Sequence, residues 1–231
     1  MTPRYFSFGA TAGAYALFVS TDPEKKLGGI SCVMVERDRS GVSIGKIEEK
    51  MGMHGSDTAE LIFDDVEVPA ENRVGEEGQG WYVAMSTLLR SRPAVGAQAV
   101  GLSQGARDYA VDFVKKNVRN GRVLSESQWV KFKIAELDTQ IEAARSLVYR
   151  AASLINVRRK GVALERLSAM AKLFASDVAM SVTGEVVQLL GDQGYSRRAP
   201  VERMMRDAKI LQIYEGTNQI QKMIIGHSIF K

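Results

Sequence analysis

Apolar positions in the first third of the chain alternate with polar ones in short runs, whereas beyond residue 74 they recur every three or four residues. Alternation with a period of two predicts strands at 15–19, 30–36, 42–46 and 59–68. Lys25-Lys26-Leu27-Gly28-Gly29 and Asp38-Arg39-Ser40-Gly41 supply the reversals, and Pro69, which has no amide donor, closes the last strand. These strands predict one antiparallel sheet with an unpaired edge and too little apolar surface to stand alone. The linker Val74-Gly75-Glu76-Glu77-Gly78-Gln79-Gly80 marks the change of period. Helices are then expected at 81–116, 125–160, 163–190 and 200–230, the last interrupted at Glu215-Gly216-Thr217. Ser125 and Gln128 have the spacing of a capping box, while Gly121, Gly161 and Gly191 fall where helices should stop. Long helices with short connections favour an antiparallel four-helix bundle. The small-residue run at 94–101 allows close helix approach within it, and packing is the simplest reading of that run. The fold class is therefore α+β, with a partial antiparallel β-domain at 1–73 followed by an antiparallel four-helix bundle at 74–231.

Composition narrows the function more than the fold. The 231 residues are 45% hydrophobic and 25% charged, ordinary values for a globular chain. Net charge is +4, yet Lys and Arg alternate with Asp and Glu, so no basic face or aromatic-basic motif points to nucleic acid. Cys32 is the single cysteine, which rules out an intrachain disulfide and suits a reducing compartment. His54 and His227 lack the spacing of a metal site. The apolar run at 8–19 follows only Arg4 and breaks into a turn sequence, so it reads as a strand and not as a signal peptide. No apolar stretch is expected to be long enough to span a bilayer.

Candidate chemistry concentrates at Glu215, a carboxylate in a glycine-flanked break between two apolar helical runs. Such a group can remove a proton from carbon if that proton is acidified and the carboxylate is partly desolvated. Ile210, Leu211, Ile213 and Ile220 make shielding plausible. Read only from its neighbours, Glu215 could equally begin a helix, its charge favoured by the helix dipole. Gln188 to Tyr195, rich in glycine, reads by itself as a helix C-cap in preference to a ligand loop.

The run R-D-A-K-I-x-x-I-Y-E-G-T-x-x-I, from Arg206 to Ile220, resembles the signature near the end of the flavin-dependent acyl-CoA dehydrogenases. The middle-domain pattern of that family is similarly matched by Lys50 to Thr58 and by Leu61 to Pro69. The resemblance covers the whole chain and implies that the chain starts late, without the family's N-terminal half. It implies that Glu215 removes the substrate α-proton, with Arg92 packed nearby and Gly216 and the Glu215 backbone N–H at the substrate. An alternative family position for the base falls on Ser91, which is no carboxylate. The cofactor implied is FAD, contacted by Ser7, Gln128, Gln188, Gly191, Gly194, Thr217 and Gln219, part of it across a subunit boundary. Asp192 replaces the second glycine of the Q-x-x-G-G-x-G-Y loop. Tyr5 and Phe8 depart from the flavin-side strand motif, and Asn117-Val118-Arg119-Asn120-Gly121 replaces R-x-x-F-G. His227 stands where an arginine is common. Arg119 is placed to substitute for the lost arginine. The resemblance further implies an acyl-CoA thioester substrate, a trans-2-enoyl-CoA product, an electron-transfer flavoprotein as acceptor, and a homo-oligomer (dimer or tetramer) or a partner chain supplying the missing half. The location expected is the cytoplasm of a bacterium or archaeon, or the mitochondrial matrix. The alternative is a non-catalytic assembly subunit of such an enzyme.

Overall fold

The computed structural model describes residues 6–156 and 162–230, and the chain divides into two compact units, Met1–Leu88 and Leu89–Lys231. Among the described residues the first unit holds five strands: β1 (Phe6–Ser7), β2 (Ala14–Ser20), β3 (Ile30–Glu36), β4 (Val42–Ile47) and β5 (Thr58–Phe63). They form two antiparallel sheets, β1-β5-β4 and β2-β3, in place of the single sheet expected. The link at 37–41 carries the chain from one sheet to the other, so β3 and β4 never pair. Tyr15, Leu17 and Val35 from one sheet and Leu61 from the other share a core, as alternation on two facing sheets requires.

The last strand is shorter than its apolar pattern. Asp64 donates its N–H to Gly41 O at 3.0 Å and Asp65 turns at φ 50°, so pairing ends at Phe63, well before Pro69. Val66 and Val68 still pack on the core from irregular backbone. Apolarity recorded their burial, and pairing did not follow from it.

The second unit is helical, and the division from the first falls within α1 (Gly80–Lys116). It continues with α2 (Gln128–Asn156), α3 (Val162–Leu190), the short α4 (Asp192–Tyr195), α5 (Val201–Ile210) and α6 (Asn218–Ile229). The bundle core is a stripe from each long helix, including Val95 and Ala99 of α1, Leu137 and Ile141 of α2, and Ala175 and Val182 of α3. Gly96 permits the close approach expected of the small-residue run: a Cβ there would stand 2.8 Å from Val148 Cγ2 and 3.2 Å from Ala171 O.

Three local expectations change. Ser125 is not a helix cap, because Leu124–Glu126 forms a 3-10 turn and the helix begins after Ser127, whose carbonyl accepts the N–H of Lys131 at 3.1 Å. Gly121 does not merely stop α1. With Asn120 (φ 53°) and Gly121 (φ 76°) it forms the two-residue turn of a small hairpin, β6 (Val118–Arg119) with β7 (Arg122–Val123). The predicted single helix 200–230 is two helices separated by seven irregular residues, 211–217, a wider break than expected. Gly191 does end α3, at φ 65°, whereas Gly161, Tyr5 and the 157–160 end of the second helix lie outside the described residues.

Against expectation, one helix is long and apolar enough by composition to cross a membrane, α3 over Ala163–Leu190. Half of its most apolar stretch is buried inside the chain, and it packs against α2, α5 and α6, as the central helix of a bundle does.

Candidate active site

Segment 211–217 carries the site, and the chain leaves helical geometry within it at Glu215. Tyr214 still donates its N–H to Ile210 O at 3.0 Å, but Glu215 and Gly216 then adopt left-handed φ angles of 56° and 88°. The chain folds back, and Asn218 donates its N–H to Gln212 O at 3.0 Å. Thr217 caps α6 by accepting the Ile220 N–H on Oγ1 at 3.4 Å. The reading of Glu215 as a simple helix-start residue therefore fails: the cap is Thr217, and Glu215 projects from a strained turn.

The half-buried Glu215 carboxylate accepts a hydrogen bond on Oε2 from the Ser91 hydroxyl of α1. Arg92, next along α1, is only 5% exposed, and its Nε is buried with no hydrogen-bond partner among the described residues. Burial lowers the Arg92 pKa, against the opposing attraction of Glu165 and Glu215. Arg92 lies well inside α1, so a helix-start ion pair is excluded as its role. Tyr214 donates its hydroxyl to Gln98 Oε1, and burial raises its pKa, so the phenol stays neutral at ordinary pH. A carboxylate held half-dry, with a hydroxyl donor and a buried cation beside it, is equipped to accept a proton from a carbon acid.

Beneath the turn lies a polar cluster that the sequence reading missed. Lys172 of α3 is 0% exposed, and its Nζ donates to Gly216 O at 2.8 Å and to Asn218 Oδ1 at 2.9 Å. Asn218 Nδ2 donates to Asp177 Oδ1 at 2.8 Å and to Ser176 Oγ at 3.0 Å, which fixes the orientation of its amide. Gln221 Nε2 donates to Glu215 O at 3.2 Å and to Gly216 O at 2.9 Å. A signal for this cluster was present in the sequence: between Ser168 and Gly184 the only charged residues are Lys172 and Asp177. A charge is seldom fully buried without partners, and of these two Lys172 is the buried one, so a lone lysine among apolar neighbours points to a tertiary partner.

The remaining site residues separate into groups. Thr217 and Gln219 adjoin Glu215 at the start of α6, with Gln219 exposed. Gln188, Gly191 and Gly194 gather at the other end of α3, where Gly191 faces the Arg119 guanidinium: a Cβ there would stand 3.5 Å from Nη2. At Gly194 a Cβ would meet Val187 O at 2.4 Å, so only glycine fits. A cavity of 370 Å³ opens beside this turn, lined by Val187, Tyr195, Arg197, Glu202, Met205 and Arg206. Gln128 is exposed at the start of α2, after the hairpin that carries Arg119. Ser7 belongs to the first unit, exposed on β1 and opposite Thr58.

Comparison with known proteins gives this geometry a lineage. Residues 78–230 match the acyl-CoA dehydrogenase C-terminal domain, and residues 4–66 match the acyl-CoA dehydrogenase middle domain. The short-chain specific acyl-CoA dehydrogenase of Megasphaera elsdenii is 46% identical over 227 residues, 98% of this chain and 58% of that protein. The solved structure of butyryl-CoA dehydrogenase from Megasphaera elsdenii superposes with a TM-score of 0.96 at 45% identity, over 100% of this chain and 60% of that one. A chain in the structure of the electron transferring flavoprotein of Acidaminococcus fermentans gives the same TM-score, 0.96, at 45% identity over 100% of this chain and 60% of that one. The chain thus spans somewhat under two thirds of the length of these relatives. With both domain patterns matched in order along its length, this chain belongs to the acyl-CoA dehydrogenase family.

Proposed function

We propose that this chain carries the base of an FAD-dependent acyl-CoA dehydrogenase acting on short acyl chains, with Glu215 taking the α-proton of the thioester. The observation that carries this reading is the Glu215 carboxylate itself, half-buried on a left-handed turn, bonded by Ser91 and beside buried Arg92. The family membership supports the reaction class, and the 46% identity to a short-chain specific enzyme supports the substrate size.

The residues present fit an anionic dinucleotide. The Gly191 turn brings bare backbone alongside the Arg119 guanidinium, and Gly194 keeps the following turn free of a side chain. Arg119, alongside Gly191, would supply a cation to the dinucleotide in place of the absent R-x-x-F-G arginine. Gln128, Gln188, Gly191 and Gly194 would contact FAD at that end, the glycine loop reaching the cofactor of a neighbouring subunit, while Thr217 and Gln219 would contact it beside Glu215, and Ser7 is a further proposed contact. Bound FAD would supply the acceptor for the hydride that leaves the β-carbon as the Cα–Cβ double bond forms.

The chain's own residues do the rest. Glu215 removes the α-proton and becomes neutral, so its attraction to Arg92 and Lys172 is strongest before transfer. Charge meanwhile develops on the thioester oxygen, where a backbone N–H at Glu215 would stabilise it. Ser91 orients the carboxylate before transfer. An electron-transfer flavoprotein is the proposed acceptor, supported by the similarity to the Acidaminococcus chain.

The experiment is to replace Glu215 with Gln in the FAD-loaded enzyme and follow bleaching of the flavin by butyryl-CoA. The expected result is a fall of about 10²–10⁴-fold in rate with substrate still bound. Turnover at the wild-type rate would exclude Glu215 as the base, and protein that never bleaches in wild-type form would favour the assembly-subunit reading.

A further inference from the structure

The turn that aims Glu215 is unstable on its own terms. Two successive left-handed residues, Glu215 at φ 56° and Gly216 at φ 88°, include one with a side chain, a conformation that an L-residue adopts only at a cost. Such a conformation persists only where its surroundings over-determine it. Lys172 reaches the turn from α3 and donates to Gly216 O at 2.8 Å, while its second hydrogen bond, to Asn218 Oδ1 at 2.9 Å, ties the first residue of α6 to the same ammonium. Gln221 donates to Glu215 O and, with Lys172, to Gly216 O, but it does so from α6 itself and moves with that helix, whereas Lys172 anchors the turn to a separate core helix. A methionine of similar length would pack at this fully buried position without the desolvation cost of an ammonium. What lysine adds is a fixed donor and a positive charge.

We propose that Lys172 is a positioning residue for the base: its ammonium clamps Gly216 O and Asn218, holding the 215–216 turn so that the Glu215 carboxylate faces Ser91 and Arg92. The proposal rests on the assignment of Glu215 as base. It adds an element, α3, whose Lys172 donates to the backbone of the turn and to Asn218.

The charged groups around the ammonium are Asp177 on α3, Arg92 on α1 and Glu215 in the loop. Burial lowers the Lys172 pKa, Asp177 and Glu215 oppose it and Arg92 adds to it, and together they bring it from 10.5 to about 8. The clamp should therefore weaken as pH rises through about 8, where the amine loses its charge. An arginine at 172 would keep its charge across that range.

The test compares Lys172→Met and Lys172→Arg with wild type in the FAD-loaded enzyme, using butyryl-CoA bleaching and amide hydrogen exchange. Lys172→Met should lose about 10–100-fold in bleaching rate, with butyryl-CoA binding changed less than about threefold, because a displaced base costs rate more than affinity. Exchange at residues 216–218 should quicken by about tenfold while the core of α2 keeps its protection. The wild-type rate should fall above pH 8. That fall should be absent in Lys172→Met and displaced upward in Lys172→Arg, which should also recover part of the rate. A Lys172→Met enzyme with wild-type rate, wild-type pH dependence and protected 216–218 amides overturns the clamp. If Lys172→Met does not fold, Asn218→Ala replaces it: slower bleaching with faster exchange at 216–217 supports the clamp, and no change overturns it. An inactive Glu215→Gln beside a fully active Lys172→Met removes only the clamp, while a fully active Glu215→Gln removes the base assignment.

Discussion

Glu215 could be singled out in the sequence because its neighbours are distinctive, a glutamate before glycine and threonine in an otherwise apolar segment. Its left-handed φ and its bond from Ser91 could not, since the bond joins residues 124 apart in the chain and the turn takes its shape in the folded molecule. Gly216 shows how narrow the permitted conformation is. At φ 88°, with a Cβ falling 2.8 Å from Gln221 Nε2, Gly216→Ala should cost about 1–2 kcal/mol of stability, read by thermal unfolding. Bleaching should slow by more than that loss of stability implies, because strain relieved at 216 moves the neighbouring carboxylate. Lys172 was overlooked for the opposite reason: it is a common surface residue, and only its isolation among small apolar neighbours marks it as buried.

Helices were legible because their apolar stripes serve one core, and their long extents follow from the period. Boundaries were legible where a single residue decides them, as at Gly191, and illegible where a tertiary contact does, as at Phe63 and Ser127. The contact between helices makes its own prediction through two glycines of α1. Gly96→Ala should destabilise by about 1–3 kcal/mol, because the added methyl meets Val148 Cγ2 and the Ala171 carbonyl, whereas Gly101, exposed with nothing within 4 Å, should gain about 0.5–1 kcal/mol on the same change. Thermal melts of the two variants decide it. Equal shifts would mean that the small-residue run is not where the helices touch.

For the whole molecule, the buried lysine links stability to pH in a direction opposite to its effect on rate. Folding lowers its pKa from 10.5 to about 8, so between these values the unfolded chain holds a proton that the folded chain has released. Stability from this group therefore rises with pH across that window, by an amount on the order of 3 kcal/mol at full shift, and below pH 8 the buried charge costs its full penalty. The stability difference between wild type and Lys172→Met, followed by denaturant unfolding from pH 7 to 10.5, should move in favour of wild type as pH rises. A difference independent of pH would show that Lys172 is not buried as an ammonium. Sequence by itself determined the α+β order, the helical bundle, the family resemblance and the identity of the candidate base, because periodicity and short motifs are local properties. Only tertiary structure decided that the strands split into two sheets, that 211–217 opens into a left-handed turn, and that Lys172, Ser91 and Arg92 converge on it. Those outcomes depend on which buried polar groups find partners across the core, and partners far apart in the chain leave no local trace.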